Sequence, residues 1–166
     1  MKTEVIIAER NEPDLDATVA NIRDNSACSV RVISDEHGRG PQRCRHRGIM
    51  QSEADVVIVM DGHMRVKYRT LDAAADYVSR LGNKVACLRC HHSPTIDWTG
   101  TPYGGARLAL KTHWDEDDPT SEPQAMAAKW RKDPKPGKIG AVMGACYVFR
   151  RDWYICLLYT SDAADE

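Results

Sequence analysis

No stretch of this chain approaches the ~20 consecutive apolar residues of a membrane-spanning helix, and no apolar signal segment opens it. A protein without a membrane span is the expectation. Net charge is nearly absent, since 23 basic residues face 24 acidic ones for a formal −1 at pH 7, so bulk charge selects no partner. A disulfide framework is lacking too. Of six cysteines, the five before residue 156 (Cys28, Cys44, Cys87, Cys90 and Cys146) are an odd set in mostly apolar or helical contexts, which reads as reduced thiols in a cytoplasmic setting. Repeats and low-complexity tracts are also missing.

The C-terminal Cys156-Leu-Leu-Tyr-Thr-Ser-Asp-Ala-Ala-Asp-Glu166 resembles one reading frame of the transposon end and adapter used for short-read sequencing libraries, and is set aside as a non-native tail. The natural sequence is then expected to stop at Ile155, inside an unfinished element. Without Asp162, Asp165 and Glu166, 21 acids face 23 bases and the formal charge becomes +2. The remaining 155 residues are one domain's worth of chain, able to bury roughly two-thirds of the unfolded surface.

The order of elements follows from periodicity. Val5–Ala8 is a short apolar run, and Pro13-Asp14 opens a helix in which Leu15, Val19 and Ile22 recur at helical spacing. Val30–Ile33 is β-branched, and Pro41–Ser52 reads as an arginine-bearing loop entering a helix. Val56–Met60, the alanine-rich Leu71–Leu81 and Lys84–Cys90 repeat the alternation. Strands alternating with helices imply βαβ units, hence a three-layer α/β/α sandwich on a mainly parallel sheet. From His91 to Lys138 prolines and glycines punctuate the chain; a strand near Arg107–Thr112 and a helix near Glu122–Trp130 are expected, and Ile139–Arg151 reads as a buried strand.

In open α/β sheets ligands bind beyond the carboxyl ends of the strands. Three such ends carry polar groups here, at Glu9 to Glu12, Asp35 to Arg47 and Asp61 to His63. Asp61 and His63, two residues apart after an apolar strand, project to one side if extended geometry persists past Met60. A hard oxygen beside a borderline nitrogen suits Mn²⁺ or a similar divalent ion. The competing reading is a hairpin, because Asp61-Gly62 between two β-type runs is also a two-residue turn signal.

At this point the residues resemble inverting glycosyltransferases of family 2 with the GT-A fold, over Glu4 to about Tyr68 and again at Gly140–Asp152. The resemblance implies a nucleotide-binding half at 1–68, an insertion and acceptor-side region at 69–155, a nucleotide-sugar donor, and a glycan, protein or small-molecule acceptor that the residues do not identify. It places Glu9 and Asn11, in Ala8-Glu9-Arg10-Asn11-Glu12, at the turn that cradles the nucleoside, although the family's usual Pro-Thr is Ala8-Glu9 here. It places Asp35 against a uracil ring, Arg45 of Cys44-Arg45-His46-Arg47-Gly48-Ile49 near the nucleotide, and Asp61 and His63 as metal ligands, in an Asp-x-His form similar to the polypeptide N-acetylgalactosaminyltransferases. The general base and a further metal ligand are expected beyond Ile155, which would leave the fragment able to bind UDP weakly but not to turn over.

Three rival readings remain. Cys87-Leu88-Arg89-Cys90-His91 fits a haem-attachment pattern, or with His92 a zinc site; against both, the cysteine packs in a core strand. Arg39, Arg43, Arg45 and Arg47, interleaved with His37 and His46, could bind nucleic acid, but aromatic residues for base stacking are missing nearby. A nucleotidyltransferase-like enzyme would share the sheet, yet carries a glycine-rich loop where this chain has Glu9-Arg10-Asn11-Glu12. Trp98, Tyr103, Trp114 and Trp130 would either build an acceptor platform or pack the insertion onto the sheet.

Overall fold

The computed structural model describes residues 1–91, 102–109, 127–132 and 144–162. The chain divides into two compact units, one formed by Met1–Leu88 with Gly144–Glu166 and the other by Arg89–Met143.

The first unit is built on strands β1 (Thr3–Glu9), β2 (Ser29–Ser34), β3 (Val56–Met60), β4 (Val85–Cys87) and a late strand, β8 (Cys146–Arg150). They form one sheet in the order β2-β1-β3-β8-β4. β1 pairs in parallel with both β2 and β3, while β8 runs antiparallel between β3 and β4. The sheet is therefore mainly parallel, with one reversed strand. That reversal matters for the site, because it brings the start of β8 to the carboxyl end of β3: Met60 pairs with Cys146, and the Asp61 N–H donates to the Ala145 carbonyl at 3.0 Å.

All five residues of β3 are buried, as expected for a central strand covered on both faces. Strand alternation assigns the faces. Ile6, Val57, Val59 and Phe149 share one cluster with Ile33 and with Cys44 and Ile49, against which Trp153 and Tyr154 pack. Cys44 and Ile49 come from α2 (Pro41–Gln51), and Trp153 and Tyr154 from α4 (Arg151–Asp162). Val5, Ile7, Ile58, Met60 and Val148 occupy the alternate positions and are fully buried, with α1 (Leu15–Asn25) against β2 and α3 (Thr70–Leu81) against β3, β4 and β8. Each such side chain contributes roughly 1.5–3 kcal/mol by leaving water. The result is the expected three-layer α/β/α arrangement.

Two elements start or stop on backbone chemistry. Gly40, at φ 89°, sets up the N-terminus of α2 with Pro41 just inside it, where the missing N–H costs nothing. The helix therefore begins at Pro41, so the part of Pro41–Ser52 expected as a loop is already helical. α3 ends at Gly82 with φ 70°, a conformation that favours glycine.

The second unit contains β5 (Cys90–His91), β6 (Pro102–Ala109) and β7 (Ala127–Lys132), an antiparallel sheet in the order β5-β6-β7. Two expectations are corrected here. The helix near Glu122–Trp130 is a strand over Ala127–Lys132, with Ala128 opposite Leu108 and Trp130 opposite Ala106; pairing with a neighbouring strand overrides alanine's helical preference. The run Lys84–Cys90 is two short strands in different sheets. The expected strand near Arg107–Thr112 lies earlier, at β6, with 110–112 outside the described residues. Of the expected strand Ile139–Arg151, Cys146–Arg150 is β8, preceded by a turn at Gly144-Ala145, while Arg151 opens a helix.

α4 runs past Ile155 into the segment read as adapter-derived. No helix among the described residues is long and apolar enough to cross a membrane.

Candidate active site

Helix spacing turns Arg45 inward from α2 with Cys44, Gly48 and Ile49, and strand alternation after Val57 and Val59 turns Asp61 to the same face. They meet: an Arg45 Nη2–H donates to Asp61 Oδ1 at 2.7 Å. Arg45 is only 9% exposed, and its buried Nε has no hydrogen-bond partner among the described residues. Burial pushes the Asp61 carboxyl above the usual carboxylate range, against the opposing pull of Arg45 and His63. A carboxylate held at such a cost is typical of ligand sites.

His63 does not lie beside Asp61 on an extended strand. The chain turns at Gly62-His63, so the expected period-two projection fails, and the hairpin fails too, because the partners of β3 are β1 and β8. The turn packs against the start of α1. The Thr18 hydroxyl, fully buried, donates to the Gly62 carbonyl at 2.5 Å and accepts from Arg65 at 2.7 Å. His63 Nδ1 lies 3.0 Å from Glu12 Oε2. That contact holds the Glu12 carboxyl below its usual value.

Glu9, Asn11 and Asp35 occupy the neighbouring strand ends. Glu9 accepts a short hydrogen bond from the Ser34 hydroxyl across the β1–β2 pair. Asn11 sits at φ 54°, in the left-handed region that asparagine tolerates better than most residues. Asp35 donates its N–H to the Glu9 carbonyl at 2.9 Å and accepts from the Arg39 and Gly40 N–H groups at 2.8 and 2.9 Å. The Gly40 bond chiefly lowers its pKa. Asp35 therefore organises the loop leading into α2, with acceptor capacity left on its carboxylate.

The structure thus pairs Arg45 with Asp61, joins His63 to Glu12, and ties Asp35 to Glu9. Among the described residues no group of three His, Cys, Asp or Glu side chains is arranged to hold a metal ion. The two-residue donor set nevertheless fits a divalent ion chemically: Asp61 Oδ2 has no protein partner among the described residues, and Glu12 occupies only one nitrogen of His63. Cys87 belongs to β4 and Cys90-His91 to β5, in separate sheets, and His92 is outside the described residues.

Thr18 is the residue that sequence reasoning passed over. Its signal was a hydroxyl within the Leu15, Val19, Ile22 stripe, where a buried polar group needs partners. The arginine cluster also divides. Arg39, Arg43 and Arg47 are exposed along a cleft of about 660 Å³ with His37, His46 and Tyr154, whereas Arg45 is buried.

A mainly parallel sheet with charged groups gathered at the carboxyl ends of β1, β2 and β3 defines an α/β domain with its ligand site at those strand ends. The chain belongs to glycosyl transferase family 2, whose family model matches residues 1–158. It is a glycosyltransferase domain, and the family uses a nucleotide-sugar donor and an acceptor. No curated protein matches the chain.

Proposed function

We propose that this domain transfers a sugar, with inversion, from a UDP-sugar donor, with a divalent ion, Mn²⁺ by preference, held by Asp61 and His63. The supporting observation is the Arg45–Asp61 pair at the end of the central strand, with His63 one turn away and still offering a ring nitrogen. An imidazole nitrogen beside a carboxylate oxygen favours Mn²⁺ over Mg²⁺.

In this reading residues 1–68 form the nucleotide-binding half. Asp35 accepts a hydrogen bond from the base, Glu9 and Asn11 border the nucleoside, and Arg45 places its guanidinium toward the diphosphate, where charge develops as the sugar–phosphate bond breaks. When bound, the ion supplies Lewis-acid stabilisation of that charge. The acceptor hydroxyl must lose its proton to a carboxylate. Asp152, the acid that follows β8, does not serve: it accepts from the Trp153 N–H and from Arg150 at the opposite end of β8 from Asp61, where the neighbouring Arg151 N–H donates to the Asp55 carbonyl.

Calorimetric titration of UDP into the full chain tests the reading. Binding that requires Mn²⁺ and disappears in His63→Ala is the expected result, with GDP binding more weakly. UDP binding indifferent to both Mn²⁺ and His63→Ala refutes it, and DNA binding that ignores His63→Ala would favour the exposed arginine face instead.

A further inference from the structure

The turn after β1 and the turn after β3 interlock through Glu12. Its Oε2 lies 3.0 Å from His63 Nδ1, while its methylene groups cover Gly62: a Cβ at residue 62 would stand 2.7 Å from Glu12 Cγ and 3.4 Å from its Cβ. Among the described residues the other oxygen makes only a long 3.4 Å contact with the Asp14 N–H. Glu12 is thus committed mainly to the imidazole and not to the start of α1.

An ionised carboxylate only accepts hydrogen bonds, so in this pair Nδ1 carries a proton, and in the neutral imidazole the lone pair is then at Nε2. A histidine whose far N–H is held by a carboxylate is oriented and made a stronger donor through the opposite nitrogen.

We infer that Glu12 is a positioning residue: it fixes His63 in the Nδ1–H tautomer and so presents Nε2 to a divalent cation, Gly62 providing the room this requires. The inference rests on the reading of His63 as a metal-holding residue and deepens it. It also gives Glu12, part of the Asn11-Glu12 turn that the family resemblance places against the nucleoside, a role at His63.

The test uses the full-length chain in two measurements. Long-range ¹H–¹⁵N spectra without metal report the tautomer, expected as protonated Nδ1 in the parent, as loss of that bias in Glu12→Ala and as a weaker bias in the isosteric Glu12→Gln, whose neutral amide oxygen accepts less strongly. Free Mn²⁺ measured by EPR is expected to show binding weakened about 10–100-fold in Glu12→Ala, with no further loss when Glu12→Ala is added to His63→Ala. Should Glu12→Ala fail to fold, Glu12→Gln, which retains the packing over Gly62, carries both measurements. An unchanged tautomer, or an additional loss on the His63→Ala background, overturns the positioning role. Mn²⁺ binding that His63→Ala leaves intact overturns the metal-holding reading instead, and the two failures are told apart because the tautomer is read without metal.

Discussion

Gly48 lets α2 lie directly on β1, and Gly48→Ala is expected to destabilise the protein even though it raises helix propensity. A Cβ at this position would fall 2.6 Å from Ile6 Cγ2 and 3.0 Å from Ile33 Cγ1, whereas carbon atoms rest at about 3.5–4.0 Å. Ile6 is fully buried on a central strand and Ile33 nearly so, so neither can swing aside and the helix must lift. Overpacking of this kind costs about 1–3 kcal/mol, and the rigid neighbours put this case at the upper end. Alanine returns about 1 kcal/mol of propensity, which leaves a net loss of about 2 kcal/mol. For a chain of this size that lowers Tm by about 4–8 °C. Urea unfolding of Gly48→Ala, Ile6→Ala and the double variant checks the cause: Ile6→Ala alone costs about 2–5 kcal/mol, but it removes the clashing methyl. The double variant should therefore fall short of the sum by about 1 kcal/mol or more. Unchanged or raised stability in Gly48→Ala, or strict additivity with Ile6→Ala, would refute the reasoning.

Thr18→Val should cost about 1–3 kcal/mol in urea unfolding, because it strips the Gly62 carbonyl of a buried donor and Arg65 of an acceptor, while Thr18→Ser should retain most of the stability. Equal stability of Thr18→Val and the parent would show that the turn holds itself. The depressed Asp35 carboxyl contributes stability that is present above its unfolded value near 3.8 and lost as pH falls through the folded value. The Tm gap between parent and Asp35→Asn should accordingly be widest near neutrality and close below about pH 4; a gap independent of pH would remove the charge from the argument.

The sheet was legible because its central strands are near-continuous apolar runs, and buried parallel strands read that way. Val56–Met60 and Leu71–Leu81 agree with β3 and α3 almost to the residue. What failed was local pattern opposed by tertiary pairing. Ala127–Lys132 carries helix-forming residues yet is a strand opposite β6, and the arginine-bearing start of α2 looked like a loop although Pro41 fits the first helical position. At the site, the identity of the groups could be read but their pairing could not. Alternation predicted Asp61 and His63 side by side; the turn at Gly62 sends one to Arg45 and the other to Glu12. No periodicity reports a contact between residues 51 positions apart in sequence.

The division of the arginines bears on what the domain does. Arg43 and Arg47, four apart in α2, share one exposed helix face, and Arg39, just before the helix, lines the same cleft. Arg45, about 200° around the helix from Arg43 by the 3.6-residue turn, points into the sheet, where Asp61 meets it at 2.7 Å. A phosphate-binding patch gains nothing from a buried guanidinium, since duplex or single-stranded backbones reach only what is exposed. Burying an arginine carries a desolvation cost that one carboxylate offsets only in part, and here the Nε is left without a partner among the described residues. The planar fork of Arg45 can hold Asp61 through one nitrogen and still offer N–H groups to a second anion, which lysine's single ammonium does with less directionality. A Cβ added at Gly144 would stand 3.6 Å from Arg45 Nη1, in ordinary contact. In the proposed reading, a guanidinium buried at the carboxyl end of the central strand and paired with an aspartate that burial makes reluctant to ionise would serve a small anionic ligand better than a polymer lying across the surface.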